Sequence, residues 1–131
     1  MGIIKAILGI CDTPRLLDHQ WELDGDTIKI NLEQVKELTE NGTARYIKGK
    51  GLKYPVLVIK TNDGIYLAFS NHCTHVGGRK IDLVPGENKL RCCSVNHSQF
   101  DFDGNVISGP AKGPLIKYPV EYSKGYLTVK L

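Results

Sequence analysis

The chain has 131 residues, 41% of them hydrophobic and 24% charged, the size and composition of one globular domain. Its formal net charge of +3 comes from scattered lysines and arginines without interleaved aromatics, which excludes an electrostatic case for nucleic acid. Four cysteines (Cys11, Cys73, Cys92 and Cys93, two of them adjacent) do not form the dense, even pattern of a secreted disulfide scaffold.

Residues 1–27 read as an N-terminal extension ahead of a domain at 28–131. The opening run Met-Gly-Ile-Ile-Lys-Ala-Ile-Leu-Gly-Ile-Cys11 is too short to span a bilayer and lacks a signal-peptide cleavage site. An edge element packing on the domain is the plain reading. Peripheral contact of residues 1–27 with a membrane or a partner is the sharper one. Asp24-Gly25-Asp26 is a turn. Ile28, Ile30 and Leu32 alternate with polar residues, the period of a half-buried strand. Glu33 to Leu38 predicts a short helical or 3₁₀ turn ending at Asn41-Gly42, and Ala44 to Lys48 a strand. Lys48, Lys50 and Lys53 read as a solvated loop. Val56 to Ile59 and Ile65 to Ser70 flank Thr61-Asn-Asp-Gly64, a hairpin that runs directly into Asn71-His72-Cys73-Thr74-His75. Pro85-Gly-Glu-Asn88 is a turn before the strand Lys89 to Cys92, and a loop with Cys93 and His97 follows. Phe100 to Phe102 and Val106 to Ile107 flank the turn Asp103-Gly104. After the loop Gly109 to Pro114, strands at Lys117 to Tyr122 and Tyr126 to Lys130 close the chain. Short strands at this spacing predict an all-β fold, an antiparallel β-sandwich or small barrel.

Two loops of this β domain therefore present Cys/His pairs: Cys73 with His75, and Cys93 with His97. Thiolate and imidazole suit zinc or an iron–sulfur cluster. A set of two Cys and two His can hold a [2Fe–2S] cluster, with the Cys on one iron and the His on the other. Neutral imidazole in place of thiolate leaves less negative charge on the cluster and raises its potential. Cysteines that travel with histidines suit a reducing compartment, so a cytoplasmic setting is expected. No nucleophile with its base, phosphate loop or catalytic carboxylate pair is evident, so no substrate site is expected.

Cys73-Thr-His75-Val-Gly77-Gly78 resembles the first cluster loop of the Rieske family, Cys-x-His-x-Gly. Ser98-Gln-Phe100-Asp101, Asp103-Gly104, Gly109-Pro-Ala111, Pro114-Leu115, Tyr118-Pro-Val120 and Gly125-Tyr-Leu-Thr-Val129 are similar to the segments that follow the second loop there. The likeness covers about residues 28–131. It implies a Rieske-like β-sandwich or pair of small barrels with a cluster-binding subdomain formed by two loops. It further implies a [2Fe–2S] cofactor, a ferredoxin-like electron-transfer role, and a reductase or terminal oxidoreductase as redox partner.

The second loop departs from the pattern. The family reads Cys-Pro-x-His-Gly-x-x-Phe; this chain reads Cys93-Ser-Val-Asn96-His97-Ser-Gln-Phe100, with His one place late. Either His97 ligates from a locally rearranged loop, or the second His ligand is lost. The intact Cys73, His75 and Cys93 favour His97. The alternatives are a Rieske-fold binding or regulatory subunit without a cluster, and a structural zinc site in the same four residues. The spacing to Phe100 favours Cys93 over Cys92 as ligand, and leaves Cys92 as a strand-end core thiol. Gly78 and Val95 stand where some members carry a disulfide. Ser98 stands where the family often has a Ser bonded to a bridging sulfide. Phe100 replaces the Tyr that donates to a ligand thiolate in high-potential members, which implies a low-to-intermediate potential.

Overall fold

A computed structural model describes residues 15–71, 81–84, 88–92, 98–108 and 113–131. Twelve strands form three antiparallel sheets within them: β1 (Trp21–Asp24), β2 (Thr27–Asn31), β3 (Thr43–Ile47), β4 (Val56–Lys60), β5 (Tyr66–Ser70), β6 (Ile81–Leu83), β7 (Lys89–Cys92), β8 (Gln99–Asp101), β9 (Val106–Ser108), β10 (Lys117–Tyr118), β11 (Val120–Ser123) and β12 (Tyr126–Lys130). The sheet orders are β1-β2-β12-β11, β10-β5-β4-β3 and β6-β7-β8-β9. The expected all-β, antiparallel architecture is the one adopted.

The middle sheet is apolar on both faces, which explains why Val56-Leu-Val-Ile59 runs without polar alternation. Val56, Val58 and Ala68 face one core, which also holds Trp21, Ile28, Ile30, Leu127 and Val129 of the first sheet. Leu57, Ile59 and Phe69 face a second core, shared with Ile81, Leu90, Phe100 and Leu115. Successive side chains of one strand thus serve two cores, as the two-residue period of a strand requires.

The first sheet begins inside the segment set apart as an extension. Trp21 pairs with Ile30 and Asp24 with Thr27, so residues on both sides of the 27/28 boundary form one hairpin. Leu16 and Trp21 are buried, and the Leu16 N–H donates to the Tyr46 carbonyl at 2.8 Å. Residues 1–14 lie outside the described residues. Lys50 is exposed in a loop, as expected, and is also anchored there. Its ammonium donates to the carbonyls of Asp18 (2.6 Å) and Trp21 (2.5 Å) and lies 4.3 Å from the centre of the Trp21 ring. The short helical turn predicted at 33–38 forms as two 3₁₀ turns, Leu32–Gln34 and Lys36–Thr39. The side chain of Asn31 caps the first of them by accepting from the Glu33 N–H. Among the described residues no helix is long and apolar enough to cross a membrane.

Candidate metal centre

The third sheet positions the candidate site. Ile81 pairs with Cys92, Arg91 with Gln99, and Gln99 with Ser108. These pairings align one end of all four strands. At the other end, Leu83 pairs with Leu90 and Phe100 with Val106, and the chain turns back within a few residues. At the aligned end the strands are flanked by segments 72–80, 93–97 and 109–112. The four candidate ligands belong to the first two of these: Cys73 and His75 to one, Cys93 and His97 to the other. All four lie outside the described residues, as do His72, Gly77, Gly78 and residues 109–112. Among the described residues, no group of three His, Cys, Asp or Glu could hold a metal ion.

The third sheet packs on the second core. Phe69, Ile81, Leu90 and Phe100 are fully buried in that core. Each such side chain contributes roughly 2–3 kcal/mol by leaving water. Ser98, which follows the second segment, is also fully buried. Cys92 ends β7, one residue before Cys93.

Asn71 and Ile81 bracket the first segment. Asn71 is 2% exposed, and its Oδ1 accepts the Ile81 N–H at 2.6 Å. Its own N–H donates to the Pro55 carbonyl at 2.7 Å, and the neighbouring Ser70 N–H donates to the Ile116 carbonyl at 2.8 Å. The sequence offered one signal for this residue: a short amide side chain two places before Cys73, capable of imitating a backbone acceptor.

The 113–116 strap is seated by the β8–β9 turn. The Leu115 N–H donates to the Gly104 carbonyl at 2.7 Å. Gly104 has a φ of +90°, and a Cβ there would stand 2.8 Å from the Leu115 carbonyl oxygen, so the turn needs glycine for both conformation and space. Asp101 organises the same turn: its Oδ1 accepts the N–H groups of Asp103 and Asn105, each at 2.9 Å. Those bonds, the Asn105 one foremost, hold its carboxyl below the ordinary carboxylate value.

As donors, two thiols and two imidazoles match a [2Fe–2S] cluster of mixed ligation. Their flanking strands favour such a joint site, because the end of the first segment and the start of the second adjoin a register pair.

A family model described as Rieske [2Fe-2S] domain matches residues 19–119. No curated protein sequence matches the chain. Among solved structures, the chain is similar to the ferredoxin of carbazole 1,9a-dioxygenase from Nocardioides aromaticivorans, with 22% identity, TM-score 0.60, and coverage of 76% of this chain and 91% of that one. It is similar to the plasma membrane Rieske protein of Synechocystis, with 27% identity, TM-score 0.55, and coverage of 76% and 92%. A third likeness is to a quaternary ammonium Rieske monooxygenase of carnitine oxidation by gut microbiota, at 19% identity and TM-score 0.56. That match covers 72% of this chain but only 28% of the monooxygenase.

Proposed function

Because the chain belongs to the Rieske [2Fe-2S] domain family, whose members bind a [2Fe–2S] cluster, we propose that it is a ferredoxin-like electron carrier of a multi-component redox system. Its electron-transfer role follows from the family. The finer assignment to a ferredoxin-like component is supported by the coverage of nearly the whole dioxygenase ferredoxin, against under a third of the monooxygenase.

Cys73 and Cys93 are proposed to hold one iron, and His75 and His97 the other. The observation that carries this reading is the Ile81–Cys92 register pair, which adjoins the first ligand segment on one side and the second on the other. When bound, the cluster supplies reversible one-electron chemistry. The protein's own part is to pair the strand ends, Ile81 and Cys92, that adjoin the two ligand segments. A reductase or terminal oxidoreductase is the partner this role requires, and catalysis on a substrate belongs to that partner. The cysteine–histidine pattern supports a cytoplasmic setting.

Anaerobic purification tests the reading. The protein is expected to be red-brown, with about two irons and two sulfides per chain, visible absorption bands and a reduced-state EPR signal. Colourless protein with one zinc per chain would identify a structural zinc site. Colourless protein without metal would identify a binding or regulatory subunit of the same fold.

A further inference from the structure

We infer that Asn71 is a positioning residue for the cluster, the clamp that sets the width of the first ligand loop at its neck. The inference rests on the assignment of Cys73 and His75 as ligands, but its geometric basis lies wholly in described residues. The first ligand segment is nine residues long, 72–80, and its two flanking residues are Asn71 and Ile81. They are joined by one hydrogen bond, from the Ile81 N–H to the Asn71 Oδ1, 2.6 Å long and buried. A loop that leaves one sheet and enters another has no backbone ladder across its neck. Here β5 belongs to the middle sheet and β6 to the third. The side chain of Asn71 supplies the missing rung.

The same residue is fixed from behind, since its N–H donates to the carbonyl of Pro55, the residue before β4. Pro55, Asn71 and Ile81 thus tie the start of β4, the end of β5 and the start of β6 at one point. Ile81 is in turn the register partner of Cys92, which precedes Cys93. One side chain therefore couples the neck of the first ligand loop to the strand that launches the second. The ligand geometry of a cluster is sensitive to the groups that orient its ligands. Loss of the clamp should alter that geometry without removing a ligand.

The test uses the full-length protein, purified anaerobically, with three readouts: exchange of the Ile81 amide, reduced-state EPR g values, and iron per chain. Asn71→Ala is expected to speed Ile81 amide exchange by about tenfold or more, to shift the g values, and to lower iron occupancy. Asn71→Asp, which keeps an acceptor at the same place, is expected to preserve slow Ile81 exchange and g values close to those of the wild type. Unchanged exchange and g values in Asn71→Ala would overturn the proposal. So would altered g values in a folded Asn71→Asp whose Ile81 amide is still protected. Should Asn71→Ala fail to fold, the Asp variant alone decides. A wild-type protein without a [2Fe–2S] spectrum would overturn the ligand assignment and the positioning role together. The Ile81 exchange result would still report the clamp, so the two failures are told apart.

Discussion

Ile81 and Cys92 are register partners at the open end of the β6–β7 ladder. One follows the segment that carries Cys73 and His75; the other precedes the segment that carries Cys93 and His97. Ladder partners in an antiparallel pair stand about 4.5–5.5 Å apart between Cα atoms. Two segments that adjoin such a pair can serve one small inorganic group.

His97 is the atom source we propose, although it stands one residue later than the family pattern. His97→Ala is expected to abolish the visible bands and the reduced-state EPR signal. The double variant Asn96→His/His97→Ala, which restores the regular spacing, is expected to recover them. Absorption and EPR on anaerobically purified protein check both. A cluster that survives His97→Ala unchanged would show that another group completes the site.

The potential should lie below about +200 mV, because Phe100 offers no hydroxyl to a ligand thiolate and such donors stabilise the reduced, more negative cluster. Phe100 is fully buried in the core shared with Leu90 and Ile81. A hydroxyl introduced there by Phe100→Tyr must find an acceptor or remain unpaired. If it reaches the thiolate, the potential rises with little loss of stability. If it does not, the variant loses roughly 1–3 kcal/mol and the potential stays put. We expect the first outcome; redox titration combined with urea unfolding distinguishes the two.

The strong strands were legible because their chemistry repeats: Val56 to Ile59 is apolar at every position, and Ile28, Ile30 and Leu32 alternate. Strand β6 was not, since Ile81-Asp-Leu83 is three residues long and carries no periodicity to read. Strand β1 was hidden for a related reason. Its buried Trp21 gains meaning only from Ile30 across the hairpin. Lys50 looked like any solvated lysine because its partners, two backbone carbonyls and a ring, lie about thirty residues away. At the candidate site, residue type alone led to the proposed ligands Cys73, His75, Cys93 and His97. Asn71 could not be read the same way, because its task is defined by an amide ten residues downstream.

Two glycines with similar backbone angles should respond differently to alanine. Gly125 has a φ of +79° with no atom within 4 Å of a would-be Cβ. Gly125→Ala should therefore cost only conformational strain, about 1 kcal/mol. Gly104 has a φ of +90° and the Leu115 carbonyl oxygen at 2.8 Å. Gly104→Ala should cost roughly 2–3 kcal/mol, since strain and a backbone clash combine. The damage should also travel. Leu115 is bonded to Gly104, and Ile116 accepts from Ser70, three residues before Cys73. Thermal scans that follow the cluster's visible absorbance should show Gly104→Ala bleaching at a lower temperature than Gly125→Ala.

Asp101 makes the β8–β9 turn sensitive to acid. Its carboxyl is held below the ordinary value, first by the Asn105 N–H and further by those of Asp103 and Gly104. A carboxyl whose folded value is depressed binds its proton more readily when unfolded, so folding is favoured where it is ionised. That contribution is fully present above the unfolded value of about 3.9 and fades as pH falls through the lower, folded one. Asp101→Asn keeps an acceptor oxygen but removes the charge. The variant should be less stable than the wild type at neutral pH, and the gap should narrow as pH falls through the lowered, folded value. Asp103 supplies the control. Its ion pair with Lys117, 3.6 Å long with the carboxylate side chain 81% exposed, lies in water and is screened. Asp103→Asn should therefore shift stability little at any pH. Urea midpoints measured at neutral and at acid pH for the three proteins check the sign: a gap for Asp101→Asn that widens on acidification would refute the carboxylate's role in the turn.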